Sequence, residues 1–73
     1  MFKEFKHKDG VIEVTRSEDT ITVNPKEADG VIKVNKNQPK ESLVQEVENK
    51  LNLIYTGSPV IIKEFIKWLE EVL

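Results

Sequence analysis

The chain has 73 residues with 11 Lys/Arg against 13 Asp/Glu, a net charge of −2 that argues against nonspecific nucleic-acid binding, which depends on neutralising several phosphates. With no cysteine and one histidine, a disulfide framework is excluded and a zinc staple would have to rest on carboxylates. At this length one core supplies only about 3–5 kcal/mol, so residues 1–73 read as one small domain for which a homodimer is the remaining means of added stability.

No stretch approaches the apolar length needed to cross a bilayer, and Met1-Phe2-Lys3-Glu4-Phe5-Lys6 lacks the apolar region of a secretory signal. A cytoplasmic protein with no membrane association is therefore expected. Charge is unevenly divided. Residues 1–40 hold eight Lys/Arg and seven Asp/Glu, residues 41–73 three and six, and neither half is extreme enough to name a partner.

In residues 1–8 the apolar positions 2 and 5 fit neither strand alternation nor a free-standing helix, so an irregular arm or short edge strand is expected. Lys3, Lys6, His7 and Lys8 make this the most basic cluster of the chain. Its plain reading is a solvated terminus; its functional one is a contact to phosphate or an acidic partner.

Residues 9–36 carry the clearest regularity. Asp9-Gly10-Val11-Ile12-Glu13-Val14 recurs twenty residues later as Asp29-Gly30-Val31-Ile32-Lys33-Val34, and Thr20-Ile21-Thr22-Val23-Asn24 between them also alternates. Each Asp-Gly offers a turn whose glycine takes φ > 0 without penalty, and each following run has the period of two of a half-buried strand. Three antiparallel strands over about 11–16, 20–24 and 31–35 form a meander. Ile12, Val14, Ile21, Val23, Ile32 and Val34 then face inward, and Val11, Glu13, Thr15, Thr20, Thr22, Val31 and Lys33 outward.

After the polar break Asn35-Lys36-Asn37-Gln38-Pro39, Leu43, Val44, Val47, Leu51 and Ile54 fall on one face of a helix over about 39–54, with Glu46 and Lys50 spaced as an i, i+4 pair. Leu53 and Tyr55 depart from that stripe, which leaves residues 51–55 open to a short further strand. Gly57 offers a left-handed helix stop. Ser58 is a good N-cap and Pro59 fits the first helical position of a second helix, residues 58–73. There Ile61, Ile62, Phe65, Ile66, Trp68, Leu69, Val72 and Leu73 share a wide apolar face. The expected fold is α+β: a three-stranded antiparallel meander covered on one face by two C-terminal helices, order β-β-β-α-α.

No constellation carries chemistry. His7 lies between lysines with no nucleophile beside it, Ser58 is explained as a cap, and the glycines are dispersed at turns rather than gathered in a phosphate loop. No carboxylate pair or calcium-loop register appears, so no catalytic, metal or cofactor site is expected, and no enzyme. Val11, Val31, Leu53, Tyr55 and Val60 are apolar side chains that this fold leaves uncovered. Scattered exposed apolar residues are ordinary, but contiguous ones would make an interface. The candidate partner-binding residues are Val11, Val31, Lys33, Tyr55 and Val60. They point to an accessory or regulatory factor that binds a protein, or itself as a homodimer; the alternative is a nucleic-acid-binding module using the sheet or the basic N-terminal arm.

Overall fold

The computed structural model describes residues 2–28 and 30–73, for residues 2 and 3 the backbone only. Four strands and two helices follow in order: β1 (Phe2–His7), β2 (Gly10–Arg16), β3 (Thr20–Pro25), β4 (Ile32–Asn35), α1 (Lys40–Ile54) and α2 (Pro59–Val72). The strands form one antiparallel sheet in chain order, β1-β2-β3-β4. The architecture is thus the α+β arrangement expected, with one strand more than the three read from the sequence.

The added strand is the N-terminal segment. It pairs with β2 along its whole length, from Phe2 opposite Thr15 to His7 opposite Gly10. Phe5 and His7 lie on the helix side of the sheet and Glu4 and Lys6 on the other, so among residues 4–7 only one apolar side chain faces the core. A hydrophobic alternation cannot show at such a strand. Phe5 nonetheless anchors it, with its ring 5.7 Å from Phe65 edge-on and 5.6 Å from Trp68.

The alternation of the other strands sets the faces as expected. Ile12, Val14, Ile21, Val23, Ile32 and Val34 are all buried. Leu43, Val44, Val47 and Leu51 of α1 and Ile61, Ile62, Phe65, Ile66 and Leu69 of α2 close over them. Full burial of each such side chain contributes about 1.5–3 kcal/mol. The α2 stripe fades at its far end, where Trp68, Val72 and Leu73 are only half-buried.

Both glycines of the repeated Asp-Gly have positive φ, as the repeat implies, Gly10 as the first residue of β2. Gly10 has φ 159° and Gly30 φ 154°, values that a side chain rarely adopts. Asp29, the partner of Gly30 in that repeat, lies outside the described residues. The β2–β3 turn is held by Ser17, whose N–H donates to the Thr20 carbonyl at 2.9 Å and whose hydroxyl sits 2.8 Å from that of Thr20.

Between the helices, two expectations are corrected. Residues 51–54 continue α1 instead of forming a strand, because Leu51 and Ile54 keep the helical spacing and the Tyr55 N–H still donates to the Leu51 carbonyl at 2.8 Å. Gly57 is not a left-handed cap, since the positive-φ glycines of the described residues are Gly10 and Gly30. Extended Tyr55 (φ −85°, ψ 121°) caps α1. The α2 start is as read: Pro59 opens the helix and the Ser58 hydroxyl accepts the Val60 N–H at 3.3 Å.

Candidate functional site

The sheet has β4 at one edge, and the ladder tells which backbone groups face outward. The Lys36 N–H donates to the Asp19 carbonyl at 2.8 Å. Bonded and non-bonded pairs alternate along an antiparallel ladder, so Ile21–Val34 and Val23–Ile32 are bonded pairs and Thr20–Asn35 and Thr22–Lys33 are not. Lys33 and Asn35 therefore turn their N–H and C=O groups away from β3, toward the free side.

Both outward carbonyls are covered by side chains. Lys50 Nζ donates to the Lys33 carbonyl at 3.3 Å and Gln38 Nε2 to that of Asn35 at 2.6 Å. One carboxylate holds both donors: Glu46 Oε2 lies 2.9 Å from Lys50 Nζ, and Glu46 Oε1 accepts Gln38 Nε2 at 3.0 Å. The Gln38 amide and then the Lys50 ammonium hold the Glu46 carboxyl below its ordinary value. The i, i+4 pair read from the sequence is thus one arm of a clasp along a sheet edge, a use of lysine that limits edge pairing.

Beside the clasp, β4 and the end of α1 enclose an open groove of about 390 Å³ lined by Gly30, Val31, Ile32, Lys33, Lys50, Leu53 and Ile54. Leu53 is 83 % exposed and Val31 52 %. Among the described residues, a Cβ at Gly30 would meet only the Ile54 Cδ1, at 3.8 Å, an ordinary contact. The lining thus sets aliphatic side chains and two ammonium groups around outward-facing backbone. Such a surface can hold an extended chain.

Of the five residues singled out in the sequence, the structure brings two together, Val31 and Lys33. Val11 is half-buried on the outer face of β2, opposite Lys6 of β1 and two strands from β4. Val60 is half-exposed on α2 and does not line the groove. Tyr55 is corrected: it is 8 % exposed and belongs to the core cluster. Its extended backbone at the helix end swings the ring inward onto Gly57, where a helical continuation would have left it outside. Lys50 and Ile54 were not singled out, although Lys50, Leu53 and Ile54 follow the i, i+3, i+4 spacing of one helix face.

Of the basic N-terminal cluster, Lys6 and His7 lie on opposite faces of the sheet. Lys6 pairs with Glu4 at 3.5 Å on the outer face, whereas His7 lies on the helix side, its Nδ1 accepting the Asp9 N–H at 3.1 Å. The Lys3 side chain lies outside the described residues. On the same outer face Lys26 Nζ reaches Glu13 Oε1 at 2.7 Å, and its pKa is raised by that hydrogen bond and by the charge of Glu13. Cations and carboxylates there offset one another. Among the described residues no group of three or more His, Cys, Asp or Glu could hold a metal ion, and no helix is long and apolar enough to cross a membrane. With this geometry in view, neither a family model nor a curated protein nor a solved structure matches the chain.

Proposed function

We propose that the chain is a small non-enzymatic protein-binding module, an intracellular accessory or regulatory factor, that engages its partner through the groove between β4 and α1. The observation that carries this reading is the pairing of Leu53 and Val31, 83 % and 52 % exposed, across one groove next to a sheet edge. A leucine left so open gains about 1.5–3 kcal/mol when it is covered, and nothing in the core uses it. The charge-balanced outer sheet face supports a protein over a nucleic acid as the ligand.

Tagged protein and its Leu53→Asp variant, used to capture partners from source lysate with and without nuclease, test the reading. Retention of a stoichiometric, nuclease-resistant protein by the parent and its loss with Leu53→Asp is the expected result. Recovery of nothing but nuclease-sensitive nucleic acid, equally by both, would overturn it.

A further inference from the structure

We infer that the groove takes an extended segment of another protein as a fifth strand beside β4, with an apolar side chain seated between Val31 and Leu53 and an acidic one paired to Lys50. This rests on the proposed function above and names its ligand. The backbone of Lys33 faces the free side of the sheet, which is what strand addition requires. Lys50 Nζ already bonds a carboxylate, Glu46, at 2.9 Å, and its bond to the Lys33 carbonyl is long at 3.3 Å. An incoming N–H can take that carbonyl while the ammonium turns to the acidic residue of the segment.

Charge selects the occupant. The charged side chains lining the groove are both lysines, in a chain whose net charge is −2. Antiparallel addition of the same strand from a second copy, centred on the outward-facing backbone of Lys33, would set Lys33 of one copy opposite Lys33 of the other, which is unfavourable. A single-stranded nucleic acid would find the lysines but no ring to stack a base on, since the groove walls are aliphatic. Gln38 stays on the Asn35 carbonyl at 2.6 Å, so the added strand pairs with the first half of β4 only.

Selection of a random displayed peptide library on the immobilised protein tests this directly. Enrichment of sequences alternating β-branched and acidic residues is expected. Binding of the enriched peptide should weaken about tenfold in Lys50→Glu and recover in Lys50→Arg. Leu53→Asp, whose exposed site leaves folding unaffected, should abolish it. Enrichment of basic, helix-forming or unrelated sequences, or displacement of the peptide by a single-stranded oligonucleotide binding at the groove, overturns the inference. If lysate capture still depends on Leu53 while no acidic strand is selected, this inference alone falls; if capture fails too, the proposed function falls with it.

Discussion

The ring of Tyr55 lies against Gly57 so closely that a Cβ on the glycine would sit 2.7 Å from both the ring Cζ and the hydroxyl oxygen. The φ of Gly57 is not positive, so the glycine is there to let the ring pass rather than to turn the chain. Gly57→Ala should therefore lower stability by about 1–3 kcal/mol through overpacking. In a Tyr55→Ala background the same change should cost much less. Urea denaturation of the four proteins of this cycle measures the coupling, and additivity would mean that the contact does not constrain position 57.

The same tyrosine carries an unmet obligation. Its hydroxyl is buried and has no hydrogen-bond partner among the described residues. Burial raises the phenol above its ordinary 10.0, and the carboxylates of Glu27 and Asp9 add to the effect. Tyr55→Phe should stabilise the fold by about 1 kcal/mol by removing the orphan group. A raised folded pKa favours the neutral phenol, so its contribution is present below pH 10.0 and lost as pH rises through the higher folded value. Thermal melts at neutral and alkaline pH should show the parent losing more than Tyr55→Phe.

Phe65 and Leu69 are fully buried beneath the sheet. Replacing either with alanine should cost about 2–5 kcal/mol, enough to unfold a domain of this size. Phe5, half-buried and 5.6 Å from Trp68, offers a milder probe. Phe5→Ala should detach β1 with a smaller loss and shift the Trp68 emission toward that of an exposed indole. Unchanged emission would mean that the edge strand does not depend on this aromatic contact.

The contrast between β1 and the rest of the sheet shows what patterning reports. Strands β2, β3 and β4 could be read because both of their inward positions, such as Ile12 and Val14 or Ile32 and Val34, are sealed and had to be aliphatic. On β1 the inward positions lie under the thinning end of α2, where Trp68 is half-buried, and one of them is His7. Relaxed burial admits a polar residue and erases the period. Tyr55 misled for a related reason: helical spacing placed it off the stripe, but its extended backbone re-aims the ring. At the groove, Val31 and Lys33 were visible as outward positions of a strand. Their meeting with Lys50 and Leu53 depends on how α1 crosses the edge of β4, which no local pattern records.

The clasp at that edge makes the last prediction. Glu46 holds Gln38 and Lys50 over the outward carbonyls of Asn35 and Lys33. Alanine suits a helix at least as well as glutamate, so Glu46→Ala removes the clasp without a helical penalty. Hydrogen bonds and an exposed ion pair of this kind contribute about 1 kcal/mol together, once solvent screening is counted. Amide exchange at Ile32 and Val34 should quicken as the edge frays, and sedimentation at rising concentration should show more association than the parent does. Acid should mimic the variant. Because the Glu46 carboxyl titrates below 4.5 in the fold, the contribution of the clasp is complete above that pH and lost as pH falls through the lowered folded value. Between neutral pH and acid well below 4.5, the parent should thus lose more stability than Glu46→Gln, whose amide does not titrate. An equal loss in both would mean that the carboxylate does not hold the edge.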